Sequence, residues 1–331
     1  MKKIKIGQIG IGHNHGEEKM RAIRKYSDIF EVVGFAENNP DWIKKRGNLG
    51  VYKGLKLMSE EELLLMNDLD AILVETDVWD LVPTAQKCID RGFHIHMDKP
   101  AGEDITAYEK LLNRAKEKEL TIQLGYMYRY NPAIQKSLAA VKNNTLGEIF
   151  GIDTAMCTCH SADFRKWLRN FKGGTMYIFG CHLIDLIILF MGEPNHIIPF
   201  QKKTMLDGVD SYDNCFAVLE YPGCTATVRI NSTEVNGFGR RHFVLCGEKG
   251  SIEIKPFERP TTMTLSLKDF ADPYEYSGMN VNVADAEKDG RYDKQLLDFA
   301  GMVRGQMKNP FTYEHELIVQ KATLRACGFD V

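Results

Sequence analysis

From residue 4 to about residue 124 the chain alternates between two kinds of apolar pattern. Short β-branched runs, "KIKIGQIG", "FEVVGFAE", "DAILVET", "FHIHMD" and "LTIQLGY", are mostly separated by stretches whose apolar residues return at helical spacing. Strands that alternate with helices imply a parallel sheet with right-handed crossovers. Beyond that point "GEIFGIDTAMCTC", "NCFAVLEY", "TATVRINS", "HFVLCG", "SIEIKP" and "TMTLSL" follow one another across turns such as Pro222-Gly223 and Lys249-Gly250, as antiparallel hairpins do. Helices are expected at the start of this half, at 292–305 and at about 313–327. The pattern therefore predicts an α/β chain of two domains. Residues 1–124 form a doubly wound parallel sheet, and residues 125–331 form an α+β domain with a large, open, mainly antiparallel sheet.

One run departs from its surroundings. "KGGTMYIFGCHLIDLIILF", residues 172–190, is almost unbroken apolar sequence after a glycine pair, yet it contains His182 and Asp185. Counted at helical spacing, Ile178, His182 and Asp185 fall at i, i+4 and i+7, on one face of one helix.

Composition narrows the classes of function. A chain of 331 residues exceeds one ordinary core, and 44% hydrophobic with 26% charged residues is a globular composition. The net charge of -3, with Lys and Arg dispersed, provides no basic stripe for a phosphate backbone, so neither nucleic acid nor an anionic membrane is expected as a partner. "MKKIKIGQIGIG" leads into a strand and not a cleavage site, and the longest apolar run, 186–191, is too short for a membrane span. Eight dispersed cysteines point to free thiols in a reducing cytoplasm.

Two motifs suggest chemistry. Gly10-Ile11-Gly12-His13-Asn14-His15-Gly16 joins a strand to a helical pattern, as a dinucleotide turn must: a tight turn, close backbone approach to a pyrophosphate, then a helix N-terminus. Its usual third glycine position is His15, with Gly16 one residue late. Glu37 ends the next strand, where a carboxylate can accept hydrogen bonds from an adenosine ribose and would repel a 2'-phosphate, favouring NAD over NADP. In "HIHMDKP" a strand runs into Asp98-Lys99-Pro100, so Lys99 would emerge at the ligand crevice, where desolvation can lower an amine's pKa and fit it for proton exchange with a substrate hydroxyl.

Together these segments resemble the Gfo/Idh/MocA family of nicotinamide-dependent sugar and polyol oxidoreductases. "DLDAILVET" followed by "DKP" is similar to the family's fourth strand and Glu-Lys-Pro signature, with Asp98 in place of Glu. "GYMYRYNPAI", "LGEIFGI", "GG....GCHLIDL" and "FMGEP" resemble the entry to the second domain, its first strand, and its Gly-rich helix. The resemblance implies a Rossmann domain in which Gly10, Gly12, His13 and Asn14 hold the pyrophosphate, Glu37 the ribose, and Thr76, Asp98, Lys99 and Pro100 the nicotinamide edge. It implies Lys99 and His182 as the catalytic pair, with Met127, Arg129 and Asp185 toward the substrate; His160, on the loop leading to Trp167, is expected as a cleft residue. An uncovered sheet of the size expected in the second domain would leave a large apolar patch, so a homodimer or homotetramer joined through that sheet is expected.

The sequence departs from the family in two places. Four residues before His182 the family commonly has an aspartate, and here Ile178 can neither raise the histidine's pKa nor orient its ring. The loop after Thr76 reads "DVWDLV" and lacks the usual proline, asparagine and histidine. A non-catalytic dinucleotide- or sugar-binding relative therefore stands as the alternative, and transient oxidation by a tightly held NAD during glycoside cleavage as a third reading. "CTCH" at 157–160 lacks a second ligand pair, so no metal is expected. His94 and His96 alternate along a strand as packing residues, and "HNH" at 13–15 belongs to the dinucleotide turn.

Overall fold

Residues 2–269, 272, 275–283 and 290–331 are described by the computed structural model. Five expected runs and one short extra strand form a parallel sheet: β1 (Ile4–Ile9), β2 (Phe30–Ala36), β3 (Leu57–Met58), β4 (Ala71–Val74), β5 (His94–Met97) and β6 (Ile122–Leu124). Their order is β3-β2-β1-β4-β5-β6, so the strand order reverses beside β1, where doubly wound sheets take their ligands. The crossovers are α1 (Asn14–Lys25), α2 (Pro40–Arg46), α3 (Glu60–Leu64), α4 (Leu81–Arg91) and α5 (Ile105–Glu117). Strand β4 is buried at every position, as a central strand covered on both faces must be.

Two compact units divide the chain: Met1–Met127 with Asp289–Leu317, and Tyr128–Lys288 with Ile318–Val331. The expected break at 124/125 moves to 127/128, and Asp289–Leu317, expected in the second domain, groups with the first. The physical reason lies at β6, an edge strand whose backbone needs partners. Gln295 Nε2 donates to the Leu124 carbonyl at 2.7 Å, Asn309 Nδ2 to Ile122 at 3.0 Å, and the Tyr313 hydroxyl to the Leu120 carbonyl at 2.7 Å.

The second unit is built on an eight-stranded sheet: β7 (Ile149–Cys157), β8 (His196–Lys202), β9 (Asn214–Tyr221), β10 (Cys224–Asn231), β11 (His242–Gly247), β12 (Gly250–Ile254), β13 (Met263–Lys268) and β14 (Tyr276–Val281), in the order β14-β13-β12-β11-β7-β10-β9-β8. Every pairing is antiparallel except β7 with β10. Two outer strands, β8 and β14, carried no legible signal. In β8 Pro199 interrupts the run, and proline in a sheet is confined to edges, which is where β8 lies. One face of the sheet is buried through Ala217, Ala226, Val228, Leu245 and Ile252, and the described helices of the unit include α6 (Pro132–Lys142), α7 (Ala162–Leu168), α8 (Cys181–Met191) and the C-terminal part of a helix over Tyr313–Ala326; α8 packs on β7 and β10. All eight cysteines are free.

The expected helix over 172–190 is composite. A π turn, Met176–Gly180, precedes α8, so Ile178 lies outside the regular spacing that relates His182 to Asp185. The glycine pair before it serves the backbone: Gly173 and Gly174 hold φ of 86° and 47°, and a methyl group on Gly173 would overlap Cys327. A Gly173→Ala chain should lose about 1–2 kcal/mol to the left-handed backbone and about 1–3 kcal/mol to overpacking; urea unfolding at matched m-value checks this, and an unchanged midpoint would contradict it.

Candidate functional site

In the first unit, β1 leaves the sheet through Gly10, whose φ is 92° and whose Cα faces the Glu75 carbonyl so closely that any Cβ would collide with it. Only glycine lets the turn pass against β4. The next residue is tied sideways, the Ile11 N–H donating to Glu37 Oε2 at 2.9 Å, while the Asn39 N–H donates to Oε1 at 2.9 Å. Helix α1 then starts at Asn14, and its N-cap, His13, makes no side-chain capping bond. The N–H groups of the first turn are thus available to an anion, with the positive end of the helix dipole behind them. Near Glu37 the charge is negative: Asp77 is pushed up by its burial and by the carboxylates of Glu37 and Asp80.

Beneath this turn lies a buried ionic network that sequence reasoning missed. Lys19 on α1 is fully buried, with Nζ 2.7 Å from Glu75 Oε1 at the end of β4 and 3.0 Å from Asp98 Oδ1 at the end of β5. The other Asp98 oxygen lies 3.0 Å from His15 Nδ1 and 3.8 Å from His13 Nε2. Burial alone would push Asp98 up, but Lys19 and the hydrogen-bonded His15 outweigh it and hold the carboxyl well below its usual range. Glu75, more deeply enclosed, is pushed up by burial against the pull of Lys19. Burial likewise lowers both imidazoles, His13 to about 3, against the attraction of Asp98. The signal was present: Gly16, Lys19, Met20 and Ile23 are the buried stripe of α1, and a lysine on such a stripe must have partners.

Asp98, Lys99 and Pro100 are all buried at the carboxyl end of β5, with Lys99 4% exposed, and Thr76 is half-buried just past β4. Gly10, Gly12, His13, Asn14, Glu37, Thr76 and Asp98-Lys99-Pro100 thus all belong to the carboxyl ends of the first sheet. His94 and His96 are packing residues, His96 Nδ1 lying 2.8 Å from Gln123 Oε1 and His94 Nδ1 accepting from the Thr121 N–H at 3.0 Å. Met127, 5% exposed, closes the first segment of this unit.

In the second unit His182 is 4% exposed on α8, and its ring meets Tyr128 edge-on at 4.9 Å. Tyr128 is fixed in turn, its hydroxyl donating to Glu258 at 2.5 Å, and Glu258 pairs with Arg241 at 2.6 Å. Ile178, 6% exposed, contributes only apolar surface four residues before the histidine. Arg129 and Asp185 form a closed bidentate pair, Nε at 2.9 and 3.0 Å and Nη2 at 2.5 Å, with both side chains 1% exposed. Their pairing ties the segment after β6 to α8. His160 stacks on Phe164 at 4.4 Å and Phe179 at 5.1 Å, and its Nε2 is buried without a hydrogen-bond partner among the described residues. It is a packing residue more than an open cleft residue. Tyr128, Glu258 and Arg241 carried no signal in the sequence because their relation spans more than a hundred positions.

Comparison with known proteins agrees with this architecture. The model of the oxidoreductase family with an NAD-binding Rossmann fold, GFO/IDH/MocA, matches residues 4–126, and that of the GFO/IDH/MocA C-terminal domain matches residues 134–253. D-xylose 1-dehydrogenase (NADP(+)) 2 of Haloferax volcanii is 24% identical over 177 residues, 53% of each chain. The rhizopine catabolism protein MocA of Rhizobium meliloti is 23% identical over 213 residues, 63% of this chain and 64% of its own. The chain thus matches between half and two thirds of these curated relatives' lengths. The structure of UDP-N-acetylglucosamine 3-dehydrogenase GnnA from Acidithiobacillus ferrooxidans superposes with a TM-score of 0.80 at 17% identity, covering 98% of this chain and 97% of that one, which is a likeness of fold. Among the described residues no helix is long and apolar enough to cross a membrane.

The buried histidines set a pH dependence. Burial lowers His160 to about 4 and His96 to about 3 from the ordinary 6.5, so each favours the folded state in its neutral form. The unfolded chain gains protons first as pH falls, and stability is lost from pH 6.5 down to about 4 for His160 and about 3 for His96. Urea midpoints measured across that window should fall toward acid, and His160→Gln should flatten the slope; an equal slope in both chains would refute the assignment.

Proposed function

Because the chain belongs to the Gfo/Idh/MocA oxidoreductase family, we propose that it is a nicotinamide-dependent oxidoreductase acting on a hydroxyl or keto carbon of a sugar, polyol or related small molecule. The observation that carries this reading is the turn at Gly10, where a Cβ-free backbone, the open N-terminus of α1 and the Glu37 carboxylate converge at the switch point of the sheet. These groups fit a dinucleotide: the N–H groups from Gly12 to Asn14 suit a pyrophosphate and Glu37 suits ribose hydroxyls. Thr76, Asp98, Lys99 and Pro100 would border the nicotinamide, which when bound supplies or accepts the hydride.

The protein's own part is to bind, orient and move a proton. In this reading Lys99 exchanges the proton of the substrate hydroxyl, and the ionised Asp98 before it keeps the end of β5 anionic. His182 is the proton-handling group of the second unit, oriented by Tyr128 in the absence of an aspartate at 178. Arg129 and Asp185 hold the frame. The carboxylates of Glu37, Asp77 and Asp80 favour NAD, since a 2'-phosphate would add charge to an already acidic neighbourhood. Two relatives named for dehydrogenation of xylose and of UDP-N-acetylglucosamine support a sugar-type substrate.

The exposed face of the second sheet supports self-association. Ile198 and Phe200 on β8 are 42% and 50% exposed and lie in register with Val218 and Phe216 on β9, forming an apolar patch at the β8–β9 edge of the face.

Binding and turnover test the function. NADH should bind more tightly than NADPH, and Glu37→Ala should narrow the difference. With a panel of polyols and keto sugars, Lys99→Met should lower turnover by about 100-fold or more while leaving NADH binding intact. Failure to bind either dinucleotide would overturn the reading, and binding without turnover across the panel would favour a non-catalytic relative. For self-association, sedimentation at micromolar concentration should give a dimer or larger species that Phe200→Lys shifts toward monomer; a monomer in the unsubstituted chain would refute the interface.

A further inference from the structure

The network beneath the dinucleotide turn has an asymmetry that ion pairing alone does not account for. Lys19 occupies one oxygen of each carboxylate, Glu75 Oε1 and Asp98 Oδ1. The second oxygens lie toward the two imidazoles: His13 Nε2 is 3.9 Å from Glu75 Oε2 and 3.8 Å from Asp98 Oδ2, and His15 Nδ1 is 3.0 Å from Asp98 Oδ2. Glu75 is completely buried, yet its Oε2 has no hydrogen-bond partner among the described residues. A buried carboxylate oxygen left in this way is costly unless something else satisfies it. His13, His15 and Asp98 offer ligand atoms that all lie within 4.8 Å of one another.

We propose that His13, His15 and Asp98 form a binding site for one divalent transition-metal ion of the zinc class, with Glu75 Oε2 beside it, 3.9 Å from His13 Nε2. Two imidazole nitrogens and one carboxylate oxygen make a borderline donor set that leaves a coordination position open, suited to Zn2+, Co2+, Ni2+ or Fe2+ and unlike the all-oxygen shells of Mg2+ and Ca2+. With metal–ligand bonds of about 2.1 Å, neighbouring tetrahedral ligands stand roughly 3.4 Å apart, and the 3.0 and 3.8 Å separations of the two rings from Asp98 lie on either side of that value. Both rings remain partly open, at 28% and 23% exposure, which gives an ion a way in. Lys19 opposes a cation from behind, but it binds the far oxygen of Asp98, Oδ1, and leaves Oδ2 to the two rings. The expectation of no metal rested on the cysteines at 157 and 159, whereas this cluster is formed by the dinucleotide turn and the ends of β4 and β5. The proposal does not depend on the oxidoreductase reading.

The test is a titration of the chelator-treated full chain with Zn2+ and with Co2+, free of dinucleotide and substrate. Calorimetry should give one ion per chain with Kd below about 10 µM, and cobalt should develop the visible absorption of a four- or five-coordinate N/O site. His13→Asn with His15→Asn should weaken binding by about 100-fold or more. X-ray absorption of the unsubstituted zinc-loaded protein keeps the question decidable if that variant does not fold: imidazole and oxygen scatterers with no sulfur are expected. A sulfur shell, undiminished binding in the double variant, or no stoichiometric binding would each overturn the site. Because no redox reagent is present, its failure leaves the oxidoreductase reading intact, and failure of turnover leaves this one intact.

Discussion

The first unit depends on one buried ammonium. Lys19 draws the carboxyl ends of β4 and β5 toward helix α1 through Glu75 and Asp98, and so fixes where the turn after β1 stands relative to Asp98-Lys99-Pro100. Two like charges brought together in a dry interior repel and resist ionisation, and a single cation between them is what makes the arrangement tenable. Removing one partner of such a set typically costs about 3–5 kcal/mol, because the remaining charge stays buried. The division of labour follows from it: Asp98 remains an anion beside the crevice, while Glu75 resists ionisation. The second unit has its own version in the buried pair of Arg129 and Asp185.

Much of the fold could be read from apolar periodicity because the strands that matter most are central. Strands β1, β4 and β5 lie inside the sheet; β4 is apolar throughout, β1 and β5 keep buried apolar residues among their polar ones, and the core strands of the second sheet alternate cleanly. The sequence was least legible at the margins. Strand β3 is two residues long, β8 contains Pro199, and β14 is exposed along almost its whole length, so none had a burial pattern to reveal it. The return of Asp289–Leu317 to the first unit was hidden for another reason, since it rests on side-chain amides and a phenol that meet the carbonyls of β6.

The site divides similarly. Residues whose role is backbone geometry or position at a strand end, Gly10, Glu37 and Asp98-Lys99-Pro100, could be read locally. Residues defined by a distant partner could not: the pairing of Arg129 with Asp185 and the contact of Tyr128 with His182 arise only through folding. Ile178 is better understood as part of a π turn than as a gap in a helical stripe. The ring it fails to orient rests instead against a tyrosine held by Glu258 and Arg241.

The proline that concealed β8 also limits what the protein can do in a crowd. An outermost strand offers a row of amides and carbonyls on which another chain can continue the sheet, the usual first step toward aggregates. At Pro199 that row lacks an N–H, and Lys202 ends the strand with an exposed charge. Growth of the sheet from edge to edge is thereby discouraged.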